Sequence, residues 1–208
     1  FVFTQKTTQT RKSMRVATCP KPTALATIAA LTCPENFGQT QKLIFRRSGE
    51  ANIAAADMIL LAFWNNLLEQ TYGIRAVITP YVENPTMEPG KLKEHGSGNE
   101  VRNGIGLNMG TSATKFTFKL NQYTESVIAG LRALQDESLV VFLVNEFGQF
   151  GCKEVATGYY NGIPIQQFFV SDRILGGLEA PDYYELSFQM PGNWSEDWKI
   201  VDPNANFS

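Results

Sequence analysis

A single histidine, His95, and three cysteines without a C-x-x-C pair leave this 208-residue chain poorly furnished for acid–base, thiol or metal chemistry. Any Ser-His-Asp or Cys-His arrangement must run through His95. That residue lies between Glu94 and Gly96 in a polar stretch, a poor place to hold a base in position. Zinc needs further ligands; Glu94 and Glu100 could join His95, but nothing in their spacing requires it. An odd set of Cys19, Cys33 and Cys152 indicates neither a disulfide framework nor a zinc site, and makes a reducing compartment the expectation. There is no G-x-x-x-x-G-K-[ST] and no G-x-S-x-G. The run from Gly104 through Gly106 to Gly110 reads G-x-G-x-x-x-G, with no apolar strand before it and no clear helix after it. Its plain reading is a set of glycines that re-aim a strand after a loop. Asp136 with Glu137, and Glu196 with Asp197, are adjacent in turn-like stretches, as solvated surface carboxylates are. The expectation is therefore no catalytic residue, no cofactor and no metal.

Long apolar runs are also missing. The longest, over 58–64, falls far short of the ~18 residues that cross a bilayer. Residues 24–31 follow a basic stretch as a signal peptide would, but the run is short, holds Thr27, follows Pro20 and Pro22, and lacks a small-residue cleavage pattern. The expectation is a protein that is soluble and intracellular when made, without a membrane partner. The sequons at Asn193 and Asn206 are then chance matches.

Acidic residues are absent from 1–34, which hold Lys6, Arg11, Lys12, Arg15 and Lys21. The rest of the chain carries 13 basic and 20 acidic groups, so an arm of +5 is attached to a body of −7. Such asymmetry points to a nucleic-acid tail or to an arm for another subunit. Five charges over 34 residues are too dilute for strong phosphate binding, so docking on an acidic neighbour is the better reading. Arg46 and Arg47 are the other basic cluster, with no aromatic interleaving for a stacking platform.

What is present is a β-rich pattern. Residues 41–47 alternate as a strand, with Leu43 and Phe45 on one face. Residues 51–70, Ala-rich and free of Gly and Pro, predict a helix that is apolar all round in its middle and so buried on more than one side. Residues 74–82 predict a strand pushed toward an edge by Pro80. Residues 105–109 predict a further strand. Strict alternation over 115–120 puts Phe116, Phe118 and Leu120 on one face, and 124–135 has the spacing of an amphipathic helix. Residues 139–144 are continuously apolar, as a strand buried on both faces is. A turn at 145–148 and a returning strand over 149–153 follow, with later strands over 163–171 and 184–190. Trp194 and Trp198, at i and i+4, cap the core or an interface. In all, about seven strands and two helices without βαβ alternation read as α+β, a β-sandwich or barrel with helices outside it. At 208 residues one domain over 19–208 suffices, preceded by an N-terminal arm over 1–18.

Residues 83–104 interrupt this pattern. They hold Pro85, Pro89, Gly90, Gly96, Gly98 and Gly104 and seven charged residues, and lack an apolar period. They predict a long irregular loop, of a length that is usually functional. The arm opens with Phe1, Val2 and Phe3, apolar residues that a free tail has no use for, which points to anchoring on a neighbour. The residues expected at a subunit interface are Phe1, Phe3, Lys6, Arg11, Lys12 and Arg15 from the arm. From the loop they are Glu83, Glu88, Lys91, Lys93, Glu94, His95, Glu100 and Arg102.

Four phrases are familiar: CPENFGQTQKLIFRR from Cys33, ADMILLAFWNNLL from Ala56, TPYVENPTMEPG…EHGSGNEVRNGI from Thr79, and LVVFLVNEFGQFGC from Leu139. Together they resemble virion proteins of tailed bacteriophages, in particular small tail-tube or neck-ring proteins. The resemblance implies a β-sandwich or barrel with a flanking helix, six copies to a ring, and rings stacked around a channel through which DNA passes without specific binding. It implies a virion protein of tail or neck, made in a host cytoplasm, whose partners are its own copies and the adjoining virion proteins. In such proteins a long loop and a terminal arm bridge rings, and 83–104 and 1–18 are the matching parts. The very apolar helix over 51–70 departs from a minimal tube subunit, which leaves neck, collar, baseplate and capsid-associated roles open. A separate alternative is an enzyme with its site in the 83–104 loop.

Overall fold

The computed structural model describes residues 36–71, 73–96, 107–121 and 123–203. The arm residues Phe1, Phe3, Lys6, Arg11, Lys12 and Arg15, and the loop residues Glu100 and Arg102, lie outside these, so their expected roles rest on sequence alone. The strands of a larger sheet are β1 (Thr40–Arg47), β2 (Ile53–Ala54), β3 (Val77–Ile78), β8 (Leu139–Asn145), β9 (Phe150–Ala156), β10 (Tyr159–Asn161), β11 (Ile163–Pro164) and β14 (Trp198–Val201). A smaller sheet holds β4 (Glu83–Glu88), β7 (Thr114–Asn121), β12 (Gln166–Val170) and β13 (Tyr183–Met190). A two-stranded ribbon joins β5 (Leu92–His95) to β6 (Leu107–Thr111). The helices are α1 (Ala55–Met58), α2 (Leu61–Glu69) and α3 (Glu125–Arg132). The described residues are thus mostly β with few helices, and every strand pair is antiparallel.

The alternation in β7 does what the sequence predicts. Phe116, Phe118 and Leu120 point inward, and β13 sets Phe188, Leu186 and Tyr184 opposite them in unbroken register. The larger sheet supplies Leu43 and Phe45 from β1 and Leu139, Val141 and Leu143 from β8 to the same core. The Phe45 ring lies 5.1 Å from Phe168 of β12 and 6.3 Å from Phe188, so aromatic contacts tie the two sheets together. Helix α3 adds Ile128 and Leu131 to this cluster.

The continuously apolar β8 has its other face covered as well. Ile44, Val140, Phe142, Val144, Phe150 and Cys152 form a second core under α1 and α2 with Met58, Trp64 and Leu67. The single helix expected over 51–70 is instead a short strand and two helices. Trp64, fully buried, stacks at 4.8 Å on Phe150 and meets Phe142 edge-on at 5.2 Å. Its indole Nε1 donates to the Met58 carbonyl at 3.0 Å, an oxygen that a continuous helix would give to the amide four residues on. Leu60 is extended at that break. The strand expected over 74–82 shortens to β3.

At the far end, Trp198 lies across Gly151, where a Cβ would fall 2.0 Å from the indole. Trp194 and Phe37 each meet the Trp198 ring edge-on at 5.4 Å. The two tryptophans therefore pack against the core, and the turn-rich C-terminal segment contributes β14 to the larger sheet.

Candidate assembly surface

The irregular loop expected over 83–104 is corrected by the structure: 83–88 and 92–95 are strands. Strand β4 pairs with the edge of β7, and β5 with β6, so the described part of the segment is a long hairpin that continues the smaller sheet outward. Gly90 marks the joint. A Cβ there would lie 2.2 Å from the Ser112 carbonyl oxygen, which only glycine allows. Lys91 N donates to Ser112 Oγ and Ser112 N to the Lys91 carbonyl, both at 2.8 Å, while Gly90 N donates to Thr114 Oγ1 at 3.2 Å. Beyond the joint the ribbon twists at a bulge in β6, where Gly110 takes φ +97° and donates to Asn108 Oδ1 at 2.8 Å.

Every residue of β5 and β6 is exposed. Leu92, Leu107 and Met109 keep 55, 45 and 65 % of their surface in water. At ~3.3 Å per residue, the four residues of β5 reach on the order of 13 Å past the joint. A two-stranded ribbon with no face to bury is marginally stable alone, so its apolar side chains lack a cover within the described residues.

The expected interface residues of this segment divide between two places. Glu83 and Glu88 belong to β4, opposite Lys119 and Lys115 across the ladder, and Glu83 accepts a hydrogen bond from Asn121 Nδ2. Lys93, Glu94 and His95 belong to β5, and Lys91 sits at the joint. Glu88, Lys91, Lys93 and Lys115 line a polar cleft of about 510 Å³ with Gln166 and Gln189. Glu94 and His95 are not among the residues lining that cleft; in the ribbon they pair with Asn108 and Leu107.

The edges of the smaller sheet are guarded. Strand β4 bulges at Asn84, φ +48°, and carries Pro85, which offers no N–H; β12 bulges at Gln167, φ +52°. Bulges and prolines on edge strands hinder indiscriminate pairing with another sheet.

Sequence reasoning missed the apolar members of the surface, Leu92, Leu107 and Met109, because Leu92 stands between two lysines and the other two among glycines and small polar residues. It also missed the 173–182 loop, where Leu175 and Leu178 stand in solvent. Nor do Arg46 and Arg47 form a basic patch. Successive strand residues face opposite ways, so Arg46 is buried while Arg47 reaches Glu137 through Nε at 3.0 Å and Nη2 at 2.6 Å. That hydrogen bonding raises the guanidinium and holds the Glu137 carboxyl below its ordinary range. The pair is therefore intact at neutral pH and is lost only as pH falls below that range.

Groups suited to chemistry are scarce. Burial, with a smaller contribution from Glu154, pushes the Cys152 thiol up to about 12, so it is no nucleophile at neutral pH. Among the described residues no three His, Cys, Asp or Glu side chains gather in a way that could hold a metal ion. No helix among them is long and apolar enough to cross a membrane.

No family model matches the chain, and no curated protein does. Among solved structures it is similar to a chain of the "Cryo-EM structure of the anti-feeding prophage (AFP) baseplate, 6-fold symmetrised". The likeness covers 84 % of this chain and 100 % of that one, at 10 % identity and a TM-score of 0.34. A likeness that slight assigns no role.

Proposed function

We propose that this chain is a structural subunit of a phage-tail-like particle and acts by self-assembly without turnover. The observation that carries this reading is the β5–β6 ribbon, which projects from a well-packed core with all of its side chains exposed. A lone ribbon of this kind becomes stable when a neighbouring subunit covers it. In this reading Leu92, Leu107 and Met109 are the apolar anchors, and Glu88, Lys91, Lys93, Glu94, His95, Glu100 and Arg102 set the register by charge. The two sheets that share the aromatic core act as a β-sandwich or barrel of the tail-tube kind, flanked by α1 and α2. Copies join head to tail, since the +5 of residues 1–34 complements the −7 of the rest of the chain on the next copy, and such joints close into rings or run on as filaments. Rings of six stacked around a DNA channel, as a tail tube, are the particular form that the resemblance of the four sequence phrases supports. A neck, collar or baseplate ring uses the same joints with other virion proteins as neighbours.

Negative-stain electron microscopy of the purified protein tests the proposal. Rings with sixfold symmetry, or tubes made of them, are expected. A monodisperse monomer that loses a measurable activity on His95→Ala would reverse the reading in favour of an enzyme.

A further inference from the structure

Residues 173–182 form a loop tied shut at its neck. Arg173 Nη2 meets Asp182 Oδ2 at 2.8 Å, and Gly176 N donates to Asp182 Oδ1 at 3.1 Å. Ile174 and Tyr183 exchange backbone hydrogen bonds of 2.8 and 3.0 Å. The strands of the loop approach so closely at Gly176 that a Cβ would lie 2.2 Å from the Ala180 carbonyl oxygen, and Gly177 turns with φ +78°. This closed loop holds Leu175 at 76 % exposure and Leu178 fully in solvent, with Glu179 beside it. A tethered apolar tip of this kind has little conformational freedom left to lose on binding.

A receptor of matching chemistry lies elsewhere in the same chain. Val77, Leu134 and Leu139 line an open cavity of about 340 Å³ together with Arg47, Arg75 and Glu137. Since ~150 Å³ holds a benzene-sized group, a leucine side chain fits with room to spare. Arg47 is committed to Glu137, whereas the exposed Arg75 has no ion pair among the described residues. The tip thus offers one apolar side chain and one carboxylate, and the cavity an apolar lining and one free guanidinium.

We infer that the 173–182 loop of one copy seats Leu178 in the Val77, Leu134 and Leu139 cavity of a second copy, with Glu179 meeting Arg75. Tip and cavity are different surfaces, so the contact is head to tail and each copy keeps one of each for the next neighbour. The inference rests on the reading of the chain as a self-assembling subunit and adds where one of its joints lies.

The test uses the full chain with Cys19 and Cys33 changed to Ser. Leu178→Cys and Thr71→Cys, the latter at the cavity mouth, are made in separate chains. Mixing the two under oxidation is expected to give a disulfide between chains that neither gives alone. By sedimentation velocity, Leu178→Asp is expected to weaken association by about 30-fold, the effect of losing a central anchor. Arg75→Glu and Glu179→Arg should each weaken it and, combined in one chain, restore it. Absence of the mixed cross-link, or Leu178→Asp assembling as the parent does while Leu92→Asp does not, overturns the inference and leaves the assembly reading standing. A parent chain that stays monomeric at every concentration overturns both.

Discussion

Arg46 sits on the helix-covered face of β1, two residues beyond the buried Ile44, with its Nε and Nη1 unpartnered among the described residues. Its charge is met by Glu50 Oε2 at 3.5 Å and the Ala51 carbonyl at 3.4 Å, and burial pushes its guanidinium down despite Glu50. Removing one member of a buried pair strands the other, whereas replacing both with apolar or neutral groups of similar size is often harmless. Glu50→Ala is therefore expected to cost about 3 kcal/mol. The combination of Arg46→Met with Glu50→Gln should leave the urea midpoint unchanged or higher, and a lower midpoint than Glu50→Ala alone would refute the account. The sequence shows two adjacent arginines and invites a basic patch. Strand geometry decides otherwise, and it is readable only once β1 is known to be covered on both faces.

Elements with a buried face were the most legible; of the exposed ones, only β6 was foreshadowed, by the strand expected over 105–109. Strands β7 and β13 and helix α3 carry their periods openly, since alternate or every third and fourth side chain meets the core. Strands β4 and β5 are exposed along almost their whole length, so their hydrogen bonds to β7 and β6 leave no trace in the apolar pattern. The break between α1 and α2 was hidden for another reason. At the break the Trp64 indole donates to the Met58 carbonyl, a side-chain hydrogen bond that no helix propensity encodes. Trp64→Ala removes that bond and the stacked contact with Phe150, and is expected to cost about 4 kcal/mol, the usual loss for a buried aromatic. The change should appear in the denaturant midpoint and in protection of α1 and α2 amides from hydrogen exchange. A loss under about 1 kcal/mol would mean that α2 is held by something else.

At the scale of the whole molecule, the described residues combine two well-filled cores with an exposed periphery. Both faces of the central strand β8 are buried, yet the ribbon, the edge strands and the 173–182 loop present apolar side chains in water on shaped, hydrogen-bonded supports. Within the candidate site, the sequence marked the segment from Glu83 to His95 by its charges and its lack of an apolar period. It did not show the hairpin form, and it could not, because pairing between two exposed strands is set by their ends being anchored in the smaller sheet. The account is tested most directly by sedimentation velocity on the full chain beside one in which 92–111 is replaced by a short Gly-Ser turn. The expected result is that the full chain forms discrete, concentration-dependent assemblies, while the shortened chain keeps its circular dichroism and sediments as a monomer. Equal assembly by both chains would contradict the ribbon's role and, with it, the proposed way these subunits join.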